Sequence, residues 1–424
     1  MKYVEIRELG EIVTGKTPPT ENLDFYGGEY PFITPSDIVS FDKKYLQSTD
    51  RTLSALGANK IKSSKLPTNS ICFVCIGSTI GKMCMTNCVS YTNQQINSII
   101  PNEKCDSDYL FYLLRYANEY FRSIGAGTGS GKGIVNKTIF SKTKIQISEK
   151  KEHQQKIASI LSVYDDLIEN NNKRIKILEK MAENLYKEWF VRFRFPNYQN
   201  TEFENSTLGK IPKTFSVVKM KDVIDDYIGG GWGNDDSDKS FSIGAYVIRG
   251  TDFPNIKKGD ISSCPFRYHK ASNYSSRRLK KDDIIIEVSG GTAEQPVGRT
   301  IIITEDILNR FGGKVICASF CKMLRLKHSA ISPMYFIYWM NYLYQSRIID
   351  KFQLQSTGII NFKFEYFLRK GDVLLPPQNI MIDFANKVEK IKDQINKIAE
   401  INDNLIKQRD MLLPRLMSGK LEVK

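Results

Sequence analysis

The stretch IASILSVYDDLIENNNKRIKILEKMAENLYKEW, residues 157–189, decides how this chain is built. Ile157, Leu161, Tyr164, Ile168, Asn171, Ile175, Leu178, Ala182, Leu185 and Trp189 follow one another at alternating steps of 4 and 3 residues. A sustained period of about 3.5 residues describes a narrow seam, the mark of a coiled coil rather than of a helix on a broad core. The stepping returns in Phe384, Val388, Ile391, Ile395, Ile398, Asn402, Leu405, Arg409 and Leu412. Each seam holds a single Asn near its middle, Asn171 and Asn402, a residue type that fixes register between partner helices. Two matching seams in one chain most simply pack against each other. The alternative is two separate helices, each on its own domain. Direction is not set by the seams, although a head-to-tail duplication with long intervening domains permits an antiparallel pair.

Outward from the helices the chain repeats itself once. Leu9-Gly10-Glu11-Ile12 is echoed by Met220-Lys221-Asp222-Val223, and Phe32 to Ile38 by Val247 to Phe253. An apolar strand running into a glycine turn and a cation occurs at Ile71–Gly77–Lys82 and again at Ile284–Gly290–Arg299. Aromatic helices follow, around Tyr109 to Tyr112 and Tyr335 to Tyr338, and each half closes on its long helix. These pieces divide the chain into a first globular domain over 1–149, a central helix over 150–195, a linker over 196–212, a second globular domain over 213–377, and a C-terminal helix and tail over 378–424. Pro196 stops the first helix; the second starts after Pro376-Pro377 and has Gly419 as its latest stop. Short Val/Ile/Phe strands mixed with glycine turns and short helices predict an α+β class.

The 424 residues carry 41% hydrophobic and 25% charged residues and a net charge of +14, which favours a polyanionic partner. The excess is spread thinly: +3 over 1–149, +3 over 150–194, +6 over 195–380 and +2 over 381–424. No stretch approaches a membrane span, the start lacks a signal-peptide core, and eight cysteines in so long a chain suit reduced thiols. A cytoplasmic protein without a membrane partner is expected.

Most apparent active sites fail. Ala126 to Gly133 approaches a phosphate-cradling loop, but lacks Gly at the first position and Ser or Thr after Lys132. A glycine-rich loop whose Thr128, Ser130 and Lys132 meet a DNA phosphate is the better reading. Cys72 and Cys75 lie three apart in an apolar strand and so face opposite sides, which suits buried thiols rather than a metal site. Asp235, Asp236 and Asp238 read as a solvated loop. His153, His269 and His328 are scattered, and neither a base-methylation motif nor a nuclease signature is present. No catalytic residue and no metal site is assigned.

A binding constellation remains, present twice. Ser78, Thr79 and Lys82 follow the first strand; Thr292 and Arg299 follow the second. Asn93, Gln94 and Gln95 either pair with adenine edges or form a buried network. Arg249, Arg277, Arg278, Ser356 and Thr357 complete the candidate DNA-binding set. The alternatives are a stand-alone bipartite DNA-binding protein, a coiled-coil adaptor and, as an enzyme, a nucleotidase.

Leu9-Gly10-Glu11-Ile12 with Thr14-Gly15-Lys16-Thr17-Pro18, Trp189-Phe190-Val191-Arg192-Phe193 with Phe195-Pro196, Leu208-Gly209-Lys210-Ile211-Pro212, and Leu412 to Leu421 carry a resemblance across essentially the whole chain. It resembles the DNA-specificity subunit of type I restriction–modification enzymes. The second half departs by lacking Thr-Gly-Lys-Thr-Pro and Asn-Gln-Gln. The resemblance implies two tandem target-recognition domains separated by an antiparallel coiled coil of two long helices. Each domain would read one half of a bipartite site on double-stranded DNA. The helices would space the domains and dock two modification (adenine methyltransferase) subunits, with restriction/translocase subunits joining the complex. S-adenosylmethionine, ATP and Mg would act in those partners, leaving this chain without a cofactor. From Ile157 to Trp189 the helix rises roughly 48 Å, more than a duplex turn of about 34–36 Å, so half-sites a turn or more apart are expected.

Overall fold

The computed structural model describes residues 1–38, 44–46, 48–126, 133–257, 259–292, 295–356 and 359–423. Two compact units form, Met1–Lys173 with Glu400–Lys424, and Arg174–Ala399. The division passes through both long helices, so each unit owns a segment of each.

In the first unit an antiparallel sheet runs in the order Gly10–Thr14, Ile96–Pro101, Ile71–Val74, Met83–Met85. All four residues of Ile71–Val74 are buried because both faces of this strand are covered. The strand's alternation then splits the core. Ile71 and Phe73 pack with the aromatic helix Ser107–Tyr116, and Cys72 and Val74 pack with Val13, Ile33 and Leu66. A smaller sheet orders Arg51–Leu53, Tyr26–Ile33 and Tyr91–Thr92, the last two parallel. Lys2–Glu5 pairs with Lys144–Ile147 just before the long helix.

The second unit repeats this plan and adds a sheet of Ser289–Gly291, Ile359–Phe362 and Gln353–Ser356. Ile224–Gly229, Cys321–Leu326, Ile284–Glu287 and Thr300–Ile302 take the same order. Phe266–His269, Ile243–Ile248 and Val315–Cys317 form the smaller sheet, again with one parallel pair, and Ser216–Lys219 pairs with Asp372–Leu375. The fold is thus the α+β duplication that the order of pieces implied. Seven of the eight cysteines are buried free thiols and Cys88 is exposed; Cys72 and Cys75 fall in separate cores, as strand alternation requires.

The first long helix is Lys151–Tyr186, extended by a π turn over Lys187–Val191. It ends at Phe193, whose φ of +55° no helix accommodates. The second is Gln378–Met417, with Pro414 inside its last turns and Gly419 at φ +72° just beyond its end. Within each unit the two helices run antiparallel. In the first unit the Asn171 amide donates to Asn402 Oδ1 at 2.9 Å, and Arg409 Nη1 donates to Asp165 Oδ1 at 2.5 Å, so numbers climb on one helix as they fall on the other. Leu161 and Ile168 are buried there, while Tyr164 and Leu405 are half-buried. In the second unit Val388 and Ile398 are buried, and Ile175, Leu178, Ile391 and Ile395 are half-buried. Its helix ends close on aromatic contacts: Phe190 meets Phe384 at 5.1 Å and Tyr335 at 4.8 Å, both edge-on.

His269, 3% exposed at the end of the small sheet of the second unit, has its pKa lowered by burial and then by the Arg267 charge. The folded state therefore binds fewer protons than the unfolded one. Its contribution is intact above the unfolded value of about 6.5 and is lost as pH falls from there through the lower folded value. The unfolding midpoint should drop on acidification below about 6.5, and His269→Phe should flatten that drop in urea titrations; an unchanged slope would disprove it.

Candidate nucleic-acid interface

The first unit gathers three loops around one turn. After Ile71–Val74 the chain makes a 3-10 turn over Gly77–Thr79 between two left-handed glycines, Gly77 at φ +69° and Gly81 at φ +88°. Asn93, Gln94 and Gln95 form the turn into Ile96–Pro101, and the Gln94 and Gln95 side chains are exposed. Asn93 Oδ1 accepts the Gln95 amide N–H at 3.1 Å and the Asn93 amide donates to Gln95 Oε1 at 3.2 Å, so the turn is locked by its own side chains. A hydrogen-bond network is therefore present, Asn93 with Gln95 and Thr17 with Gln94, but it is not buried: Gln94 and Gln95 are exposed and Asn93 is half-buried.

Two concavities flank this turn. One of about 420 Å³ is lined by Lys16, Thr17, Lys60 and Gln94 among others. The other, about 740 Å³, is lined by Ser78, Thr79, Gln95, Arg122 and Gly133 among others. The Thr17 hydroxyl donates to Gln94 Oε1 at 2.7 Å, which orients that amide. Gly15 allows this approach: a Cβ there would lie 2.2 Å from the Asn93 carbonyl oxygen. Behind the loops, the buried Asn97 amide donates to Cys75 Sγ at 3.1 Å and to the Val135 carbonyl at 3.3 Å. Burial pushes the Cys75 thiol up to about 12, so it stays neutral.

The second unit holds the same backbone frame under different side chains. Gly81 N–H donates to Val74 O and Val74 N–H to Lys82 O; Gly298 and Glu287 N–H groups do the same with Glu287 and Arg299. Gly290 at φ +95° and Gly298 at φ +103° match Gly77 and Gly81. The Gly15 N–H bond to Ile96 O and the Lys16 bond to Thr92 O recur as Gly230 to Cys321 and Gly231 to Cys317. By these bonds Ala318-Ser319-Phe320 stands where the first unit has Asn93-Gln94-Gln95. Cys75 N–H donates to Gln95 O at 2.9 Å, and Val288 N–H donates to Phe320 O at 2.8 Å.

Residues 1–180 match the family model described as the type I restriction modification DNA specificity domain. Over 425 residues, 99% of this chain and 93% of the relative, the chain is 28% identical to the MjaIX specificity subunit of a type I restriction enzyme from Methanocaldococcus jannaschii. It is 33% identical over 174 residues to the HindI specificity subunit from Haemophilus influenzae, covering 40% of this chain and 37% of that one. Residues 1–180 thus carry the type I restriction–modification DNA specificity domain, and the chain as a whole is similar to specificity subunits. Its fold is also similar to that of an S subunit from M. genitalium, with a TM-score of 0.52 at 13% identity over 98% of this chain and 95% of that one.

Within this chain the candidate residues fall into distinct groups. Gln94 lines one concavity and Ser78, Thr79 and Gln95 the other, with the half-buried Asn93 bonded to Gln95. Lys82 is half-buried with its backbone in the sheet. Arg278 and Thr292 are exposed, and Thr292 Oγ1 accepts the Gln295 N–H at 3.1 Å. Arg277 Nε donates to the Gly229 carbonyl at 2.9 Å, which anchors the Gly229–Gly231 loop. Two cations do not fit the phosphate-gripping expectation. Arg299 donates twice to Glu287, at 2.8 and 2.7 Å, with both side chains largely buried. Arg249 is held by Asp252 at 3.0 and 2.9 Å and by the Ser263 carbonyl at 2.6 Å. A phosphate would have to displace a bidentate carboxylate from either one. Thr128, Ser130, Lys132 and Thr357 lie outside the described residues, as does the side chain of Ser356.

Lys16, Thr17, Lys60 and Arg122 line the concavities and were absent from the candidate set. The Thr14 to Pro18 motif was the available signal; its nearness to Gln94, 77 residues away, was not. Among the described residues no cluster of three or more His, Cys, Asp or Glu side chains is placed to hold a metal, and no helix is long and apolar enough to cross a membrane.

Proposed function

We propose that each unit reads one half of a bipartite site on double-stranded DNA, and that the two long helices space the units and dock two modification subunits, which in turn recruit restriction/translocase subunits. Adenine methylation with S-adenosylmethionine, and ATP- and Mg-dependent translocation and cleavage, would be carried by those partners in the cytoplasm. This chain would contribute recognition and no catalytic residue. The observation carrying this reading is one backbone frame built twice, with different exposed side chains on the same turn. In the first unit Gln94 and Gln95 supply amides that pair with adenine edges, and Lys16, Lys60 and Arg122 supply positive charge for phosphates.

The test is a Gln94→Ala/Gln95→Ala double variant assembled with its modification subunits. Methylome sequencing names the site, and binding is then measured on duplexes altered in one half at a time. Affinity for the intact site should fall about 10- to 100-fold, with discrimination lost in one half only. Equal binding of the unaltered chain to its site and to a shuffled duplex would reject the reading.

A further inference from the structure

The strand frame equates Phe320 with Gln95, and the equivalence has a chemical consequence. Both residues pass their carbonyl oxygen to the residue following the adjacent sheet strand, Cys75 in one unit and Val288 in the other. Both side chains leave the same turn outward. Gln95 presents an amide, whereas Phe320 presents a phenyl ring that is 65% exposed. Isolated exposed apolar side chains are ordinary on protein surfaces, so exposure alone decides nothing. Position does: this ring occupies the turn that in the other unit carries exposed hydrogen-bonding groups.

A neighbouring exchange sharpens the contrast. The bond from Gly231 to Cys317 sets Trp232 where the first unit has Thr17. That indole is already covered by the Arg267 guanidinium, 4.9 Å from the ring centroid. Phe320, among the described residues, meets no other ring and no cation. On the adjoining strand, Lys322 lies over the rings of Tyr227 and Phe364 at 5.7 and 5.0 Å, which places a positive charge there. A phenyl ring cannot read a base by donating or accepting hydrogen bonds. Its available contact on a base edge is apolar, and the thymine 5-methyl group is the apolar group that duplex DNA displays in its major groove.

We infer that Phe320 sets specificity in the second unit by packing against a thymine methyl group, in the place where the first unit uses the Gln95 amide. The inference rests on the proposed reading of one half-site by each unit. It requires a thymine in the half-site that Gln95→Ala leaves undisturbed.

The experiment uses the full chain assembled with its modification subunits and a duplex carrying the site identified by methylome sequencing. Thymines are replaced one at a time by deoxyuridine, which removes only the methyl group. The unaltered protein should lose about tenfold in affinity at one such position. Phe320→Ala should bind the thymine duplex about tenfold more weakly and show no further loss on deoxyuridine. Phe320→Leu, which keeps an apolar group, should retain some of the discrimination and serves as the check on folding. Indifference of the unaltered protein to every deoxyuridine, or Phe320→Ala binding both duplexes as tightly as the parent, overturns the inference. In either case preference for the site over a shuffled duplex still upholds the half-site reading. Loss of that preference in the unaltered protein would reject both together.

Discussion

Replacing Asp165 by Ala lowers the stability of the first unit by about 3–5 kcal/mol, the usual penalty for stripping one partner from a buried ion pair. Asp165 is 8% exposed and Arg409 1% exposed, so neither charge is solvated. The Asp165 carboxylate accepts Arg409 at 2.5 Å and the Tyr112 hydroxyl at 2.6 Å, tying both long helices to the aromatic helix Ser107–Tyr116. Burial, and next the Asp165 charge, push the Tyr112 phenol well above its ordinary range, which keeps it a donor. Alanine removes the buried carboxylate to which both groups donate, and leaves the guanidinium to the more exposed Asp410 carboxylate, 3.0 Å from its Nε. The Asp165→Leu/Arg409→Leu double variant should recover most of the loss, because an apolar pair has no desolvation penalty to offset. Urea titration of the three proteins reads both effects. A single-variant loss below about 1 kcal/mol would place the pair among solvated surface bridges instead.

The second large effect comes from Gly15→Ala and Gly230→Ala. A Cβ at Gly15 would sit 2.2 Å from Asn93 O and 2.4 Å from Thr92 O; at Gly230 it would sit 2.1 Å from Ala318 O and 2.3 Å from Cys317 O. Those are backbone atoms of the two equivalent turns and of the strands leading into them, so no side-chain rotation relieves the overlap. Each change should cost about 2–4 kcal/mol by overpacking and displace its turn. The functional readout separates the units: Gly15→Ala should relax one half of the methylated site, and Gly230→Ala the other. Amide exchange should rise around 92–96 in the first variant and around 317–321 in the second. Both variants relaxing the same half would contradict the assignment of one half-site to each unit.

The seam was legible because a 3.5-residue period leaves its print directly on the sequence, and Asn171 and Asn402 do meet where the two seams cross within the first unit. Asp165 was not legible. It adjoins the seam as an ordinary polar residue, and only folding brings Arg409 to it. The duplication could be read as an order of pieces, yet not to the residue. Ala318-Ser319-Phe320 shares no side-chain chemistry with Asn93-Gln94-Gln95, and their equivalence resides in backbone hydrogen bonds that side chains do not announce. Arg299 misled for the opposite reason: its match to Lys82 in the backbone is sound, but Glu287 turns its charge inward.

The paired left-handed glycines, Gly77 and Gly81 in one unit and Gly290 and Gly298 in the other, bear on how such a chain can change over generations. They and the main-chain bonds fix where each loop leaves and rejoins its sheet, without calling on the side chains in between. Outward-facing positions between them, such as Ser78 and Thr292, can therefore change at little cost to folding, unlike the buried Ile80 and Val297. On the proposed reading, a lineage can drift or recombine at such outward positions toward a new target with its architecture unimpaired, whereas a side chain at the left-handed glycines would strain the turn.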